Sequence, residues 1–492
     1  MADPIPSTGA DAVPTLDAPL LRRAGRGIAP PFRLMLEASG DDRELLVTDI
    51  LRLLPDKRIV VFADRQAGPE AVAKIYLDPR HGRRHFTREI RGLEALRAAD
   101  IPTPEILFQG TLEDGRTPVL LTRRIKTTRP LGKALATDAD RQLEAVTVCL
   151  ARMHTAGLSQ GDAHPDNFLC SNAEVLVIDG AAIQQHGARS LARGPSIANL
   201  GLFLAQNYPD DDALIPHLMA IYCRARGWTP SAALTQRVVK TVQRWSDWRE
   251  KKYLQKTVRP CTAFRVRTSW QRITACDRNR FSPSLARLLE DPDAAMAAGS
   301  ILKAGNSATV VRIEGDSEPL VVKRYNLKNR RHALARALRP TRARLSWRNA
   351  NRLRFMGVAT PQPLALLEHR WGPLRGRAYF IAEYLAGEPF TEVVARREEF
   401  ALLTNCADQL VHLLKRLQKL RLSHGDLKAS NLLWHCGRLY LLDLDSMRKH
   451  RRQTAFQRSF GKDIRRLLEN WRHDAVFTAL LKSRLREIDP NV

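Results

Sequence analysis

Asp426, Asn431 and Asp443 are the residues whose types and spacing could do chemistry in this chain. They lie in Leu422-Ser-His-Gly-Asp-Leu-Lys-Ala-Ser-Asn-Leu-Leu433 and Leu441-Leu-Asp-Leu-Asp445. Carboxylate and amide oxygens are hard donors, so such a set can hold a divalent cation. A carboxylate beside it can orient an alcohol and accept its proton. The pattern occurs twice. Leu158-Ser-Gln-Gly-Asp-Ala-His-Pro-Asp-Asn-Phe-Leu169 and Val177-Ile-Asp-Gly180 supply Asp162, Asn167 and Asp179. In both copies the Asn follows the first Asp by 5 residues and the second Asp follows it by 17. Asp and Asn also favour turns for their own sake. That reading covers one loop but not a repeated spacing.

The spacing resembles the catalytic loop and metal-binding turn of the protein-kinase-like fold. The resemblance implies that Asp426 and Asp162 orient the attacking hydroxyl. Asn431 with Asp443, and Asn167 with Asp179, would hold Mg²⁺. Lys428, two residues after Asp426, would contact a phosphate or be a solvated loop lysine; His164 holds the matching place in the first copy. The set Asp162, His164 and Asp166 could alternatively be a metal cluster. His424 is expected to prop its loop, and Asp445 to be a polar turn residue or more.

These loops need elements to hold them. Val72-Ala-Lys-Ile-Tyr76 and Val321-Val-Lys-Arg-Tyr325 read as strands, with Lys74 and Lys323 placed to pair with ATP phosphates. A helix from about 85 to 99 carries Glu89, where the fold would put the acid that clamps the lysine. The matching position in the second copy is Ser346, by spacing to Pro102 and Ala359. Ile101-Pro-Thr-Pro104 is echoed by Val358-Ala-Thr-Pro361. Gly305, in a strand–turn–strand, would let backbone N–H groups approach phosphates. Leu53-Leu-Pro-Asp-Lys-Arg58, its counterpart, has no Gly, and Gln160 replaces the loop histidine. Glu383 to Leu385 would present backbone groups to an adenine edge. Apolar residues at helical spacing (Leu143, Val146, Leu150, Met153) predict a helix entering the Asp162 loop.

Four landmarks recurring in one order predict an α+β chain of two tandem kinase-like domains, each with a β-rich small lobe and a helical large lobe. The boundaries read as a disordered segment 1–40, a first domain 41–295 and a second 296–492. Residues 190–290 read as helical, with Trp228, Trp245, Trp248 and Trp270 as packing anchors.

Residues 321–326, 424–431 and 441–445 resemble bacterial lipopolysaccharide core kinases, the Kdo/heptose kinase family with its InaA-like members. The resemblance covers most of 300–450 and, more weakly, 45–185. It implies an ATP- and Mg²⁺-dependent phosphotransferase acting on a Kdo or heptose hydroxyl of the inner core. It also implies a site at the inner face of the cytoplasmic membrane. A protein or small-molecule kinase, or a non-catalytic scaffold, are the competing readings, because fold does not set substrate.

Composition bounds the partner. The net charge of +27 points to an acidic one. From Lys323 to Phe355 there are twelve Lys or Arg and no Asp or Glu. Like charges at helical spacing repel, so the run is expected to face anionic headgroups or core phosphates at a membrane surface. No aromatic-interleaved RNA motif appears, so no specific nucleic acid is expected. Seven cysteines without a CxxC pair read as reduced and intracellular. No apolar run approaches the length of a spanning helix. Oligomeric state is not legible.

Overall fold

The computed structural model describes residues 13–38, 43–66, 68–126, 129–131, 139–170, 174–210, 213–326, 337–396 and 400–486. The chain divides between Ser246 and Asp247 into two units.

In the first unit a six-stranded antiparallel sheet runs Phe32–Met35, Glu44–Leu54, Arg58–Arg65, Ala71–Ile75, Pro118–Arg123, Ile106–Thr111. Burial alternates along Arg58–Arg65, where Ile59, Val61 and Ala63 are buried, as a half-covered strand requires. The helix Gly82–Ala98 buries Glu89, Gly92, Leu93 and Leu96, a stripe at helical spacing. Beyond the sheet, the helices Ala139–Thr155, Arg193–Leu204 and Leu214–Arg226 share a core that includes Leu150, Met153, Phe203 and Tyr222.

The second unit begins within the helix Ala232–Lys256. Its seven-stranded antiparallel sheet runs Phe264–Thr268, Arg272–Asp277, Pro363–Trp371, Leu374–Glu383, Leu320–Tyr325, Ala308–Ile313, Ser300–Ala304. The helix Arg342–Phe355 buries Trp347, and the helices Phe400–Lys419, Gln453–Glu469 and Ala475–Leu485 follow. Five strands in each sheet keep one order, in which the last two strands in sequence exchange places.

Four expectations change. Residues 13–38 are ordered, not a disordered segment; the calls for 1–12 and 39–40 lie outside the described residues. Asp17 caps the helix Ala18–Ala24 by accepting from Leu20 N at 2.7 Å, and Leu21, Phe32 and Leu34 join the sheet core. The Pro-rich composition marked turns between short elements. The boundary lies at 246/247 and not at 295/296, because the hairpin 264–277 pairs with Pro363–Trp371 (Arg272 opposite His369). That hairpin also corrects the all-helical reading of 190–290: buried Phe264 and Val266 alternate with half-buried Arg265 and exposed Arg267 at period two. Trp228 and Trp245 do pack against the first unit's core, but Trp248 and Trp270 are exposed. Among the described residues no helix is long and apolar enough to cross a membrane.

Candidate active site

In the second unit Lys323, on Leu320–Tyr325, is ion-paired with Asp443. Asp443 sits at φ 57°, left-handed backbone that Asp tolerates better than most residues, and so turns the chain out of strand Arg438–Leu441. Burial pushes its carboxyl up, but the Lys323 ammonium, with Arg342 and His424 farther away, holds it below its ordinary value. Asn431 Nδ2 donates to Asp426 O at 2.8 Å, and Leu442 N donates to Asn431 O at 2.9 Å. These bonds keep Asn431 against the Asp443 turn. A cleft of about 390 Å³ opens here, lined by Gly305, Lys323, Phe380, Leu385, Asn431 and Asp443.

Asp426 and Lys428 do not line this cleft; Asp426 adjoins it only through its hydrogen bond with Asn431. Its Oδ1 accepts from Arg466 Nη1 at 2.8 Å, and its Oδ2 lies 3.2 Å from Lys428 Nζ. Lys428 is therefore Asp426's neighbour cation here. Buried Asp463 accepts from His424 N at 2.6 Å and from Gly425 N at 3.0 Å, while His424 Nε2 donates to Leu442 O at 2.9 Å. The loop is thus tied both to helix Gln453–Glu469 and to the Asp443 turn. Gly425 has φ 82°, and a Cβ there would stand 2.8 Å from Ser446 O, so only glycine fits.

Ser346, at the position matching Glu89, hydrogen-bonds Tyr325 OH at 2.7 Å. The helix grips the turn by other means. Arg342 Nε and Nη2 reach buried Asp445 Oδ2 at 2.8 and 2.6 Å. Asn349 Nδ2 donates to Leu444 O at 2.8 Å and Met447 O at 3.1 Å. Asp445 is therefore an anchor and not merely a polar turn residue.

The Gly305 turn is pinned by Asn326, whose Nδ2 donates to Gly305 O at 3.1 Å and whose N donates to Ser307 O at 3.2 Å. At the end of strand Leu374–Glu383, Glu383 N donates to Gln362 O at 3.0 Å and Tyr384 N to Pro319 O at 3.0 Å. Glu383 and Leu385 line the cleft, but the Glu383 N–H is already used inside the sheet.

In the first unit Lys74 is ion-paired with Glu89, and its Nζ also donates to Ile178 O at 3.2 Å. Glu89 Oε1 accepts from Gly180 N at 3.2 Å and Oε2 from Ala181 N at 3.1 Å. One buried carboxylate thus joins the strand lysine to the Asp179 turn. The approach is close enough that a Cβ on Gly92 would fall 1.8 Å from Gly180 O. Asn167 Nδ2 donates to Asp162 O at 2.7 Å, and Ile178 N to Asn167 O at 3.1 Å, as in the second unit. Asp179 Oδ1 is buried without a hydrogen-bond partner among the described residues. Gln160 does the histidine's bridging, donating to Asp179 O at 3.4 Å. Asn199 clasps Gln160, accepting from its N at 3.2 Å and donating to its O at 2.7 Å. Asn199 is held in turn by His154 Nε2 at 2.9 Å, and His154 Nδ1 meets Tyr222 OH at 2.7 Å. Burial pushes His154 down to about 4, with Arg226 adding to it and the Asn199 bond opposing. His164 accepts from Asp166 N at 3.2 Å, the geometry of a local turn. Among the described residues no three His, Cys, Asp or Glu side chains form a metal-holding group, so Asp162, His164 and Asp166 are not one.

The basic run is also corrected. Its residues 327–336 lie outside the described residues. Of the remainder, Lys323, Arg324, Arg342, Arg344 and Arg352 pair with Asp443, Asp293, Asp445, Glu368 and Glu250. The run lacks local acids because its acids come from distant elements. Sequence reading missed Arg342, Asn349, Asp463, Arg466 and Asn199. One signal was present: Asp463 follows Asp426 by 37 residues, as Asn199 follows Asp162 by 37.

The profile described as the lipopolysaccharide kinase (Kdo/WaaP) family matches residues 65–185 and 303–482. Among curated proteins none matches. Among solved structures, WaaP in complex with acyl carrier protein is similar at 16% identity and TM-score 0.28, covering 42% of this chain and 86% of that one. The Mycobacterium tuberculosis PknI kinase domain is similar at 14% identity and TM-score 0.26, covering 42% and 98%. WbdD with a kinase inhibitor is similar at 16% and 0.29, covering 42% and 46%.

Proposed function

The chain belongs to the lipopolysaccharide kinase (Kdo/WaaP) family, with an α+β protein-kinase-like fold, and on that premise we propose that it transfers a phosphoryl group from ATP to a Kdo or heptose hydroxyl of the lipopolysaccharide inner core. We read two kinase-like domains in tandem, one per unit, the second being the catalyst. The convergence of Lys323, Asn431 and Asp443 on the cleft beside Asp426 carries this reading. The shared strand order supports the tandem.

Asp443 and Asn431 fit Mg²⁺. Their free donors are oxygens, since the Asn431 nitrogen is committed to Asp426 O. When bound, the ion would neutralise charge on the transferring phosphates. Lys323 would shift from Asp443 toward phosphate oxygens, and the Gly305 turn would cover them. Glu383 and Leu385 would flank the adenine. Asp426 would orient the acceptor hydroxyl and take its proton, with Lys428 and Arg466 beside it. The work of the chain is positioning plus fixed charge. In the first unit Lys74, Glu89, Asp162, Asn167 and Asp179 would form a second nucleotide site. There the turn Pro55-Asp56-Lys57 replaces glycine with side chains. Partners would be the core acceptor and an anionic membrane surface at the cytoplasmic face.

The test is ATP turnover with purified core oligosaccharide. Asp426→Ala is expected to abolish it and Asp162→Ala to spare it; the reverse would move the active site to the first unit. The Asp426 carboxylate, outside the cleft lining and already paired with Arg466 and Lys428, favours a second reading, a non-catalytic scaffold. Failure of Mg·ATP to bind by calorimetry would carry that reading instead.

A further inference from the structure

The second unit's sheet ends in two neighbouring hairpin tips that each present a tryptophan to solvent. Trp270 is 63% exposed and Trp371 is 67% exposed. They are neighbours by construction, since Arg370 N donates to Gln271 O at 2.7 Å and Gly372 N to Trp270 O at 3.0 Å. The rings meet edge to face at 6.2 Å and 75°. Gly372, at φ 58°, lets the Trp270 ring lie over the turn; a Cβ there would stand 2.8 Å from it. Arg375 N donates to Ala337 O at 2.8 Å, which brings Leu338, 73% exposed, toward the same end of the sheet. Two large indoles left in water at one tip are not core packing, and scattered exposure does not produce a contiguous pair.

The charges around the tip are cationic. A groove of about 270 Å³ beside it is lined by Arg265, Arg267 and Arg272 against one acid, Glu290. Glu368, on the strand that carries Trp371, is buried and paired with Arg344 and Arg375. We propose that this tip docks the protein on an anionic membrane surface, with Trp270 and Trp371 entering the interface and the arginines, Arg267 foremost, meeting the headgroups. Indoles favour that boundary because the ring is apolar and its N–H stays wet. Arginine complements anionic headgroups, and the chain's net charge of +27 adds long-range attraction. A single-stranded nucleic acid fits less well. Rings set at 75° offer no parallel pair between which a base could stack. Membrane contact thereby moves from the 323–355 run, much of it internally paired, to the sheet tip. The inference rests on the membrane partner proposed above and says where on the chain it is met; vesicle binding is measured apart from phosphotransfer, so either can fail alone.

The experiment is flotation of the full chain with phosphatidylglycerol–phosphatidylethanolamine vesicles and with phosphatidylcholine vesicles. The wild type is expected on the anionic vesicles and not on the neutral ones, with binding falling as salt rises. Trp270→Ser/Trp371→Ser should lower anionic binding at least ~10-fold, and Arg267→Ser by a smaller factor. Bromine-labelled lipid chains should quench tryptophan fluorescence of the wild type and not of the double variant. ATP turnover on a water-soluble acceptor should be unchanged in the double variant, which checks its folding. Equal binding by wild type and double variant would overturn the proposal. So would no binding by the wild type, equal binding to neutral vesicles, or retention of single-stranded RNA that the double variant loses.

Discussion

The Asp179 turn and the Asp443 turn each follow a strand and lead into one 3-10 turn, but Asp179 stays at negative φ (−114°) where Asp443 is left-handed (57°), and the two are wired with opposite charges. In the first unit the helix contributes an acid: Glu89 takes Lys74 on one side and the Gly180 and Ala181 N–H groups on the other. Asp179 is then left with a buried, unpartnered oxygen. In the second unit the helix contributes a base and an amide. Arg342 holds Asp445, Asn349 holds two carbonyls, and Lys323 turns to Asp443 itself. Each solution pairs its strand lysine with a carboxylate, Lys74 with Glu89 and Lys323 with Asp443, as the low-dielectric interior favours. A missing clamp acid is therefore no sign of decay when the neighbouring charges have been rearranged with it. The phosphate turns differ similarly. Leu77 N donates to Lys57 O at 2.9 Å, where Asn326 N donates to Ser307 O at 3.2 Å. The pin is shared; only the second turn has a glycine that lets backbone come close.

Four measurements break or sharpen this comparison. Asp443→Ala should reduce phosphotransfer to core oligosaccharide by ~10²–10³-fold or more, and Asp179→Ala by far less. Equal losses would mean that the two clefts act together. Arg342→Met leaves Asp445 buried without its cation and should cost the second unit roughly 3–5 kcal/mol, read by urea unfolding with hydrogen exchange to locate the loss. An unchanged midpoint would show that Asn349 alone holds the turn. Gly92→Ala forces a methyl against Gly180 O and should destabilise the first unit by about 3 kcal/mol, leaving exchange in the second unit unaltered.

The last concerns pH. His154 is depressed from 6.5 to about 4 in the folded first unit. The unfolded chain therefore binds the proton first as pH falls. The first unit keeps its full stability above 6.5 and loses it progressively toward 4, by up to roughly 3 kcal/mol. His154→Gln should flatten that limb. The second unit ties its loop with Asp463; burial lowers His450 and His369 there, so its own acid limb should persist unchanged in His154→Gln.

Much of this was legible beforehand. Asn167 and Asn431 hydrogen-bond the Asp five residues before them, Lys74 pairs with Glu89 in the first unit, and His424 ties its loop to Leu442 in the second, as the chain pattern implied, whereas Asp426 stands outside the Lys323 cleft. Others were not legible, for identifiable reasons. The boundary was misplaced because the hairpin 264–277 takes its meaning from strand Pro363–Trp371, about ninety residues on. The basic run looked uncompensated because Arg342 and Asp445 are 103 residues apart, and Arg352 and Glu250 are 102 apart.

The order of groups within one short loop is set covalently. A few bonds hold Asp426 near Asn431, whatever surrounds them, so sequence alone determined the candidate chemistry and its duplication. Which charge faces which was decided only by the tertiary structure. Sheet order and helix packing choose partners a hundred residues distant, and burial then makes their pairing obligatory.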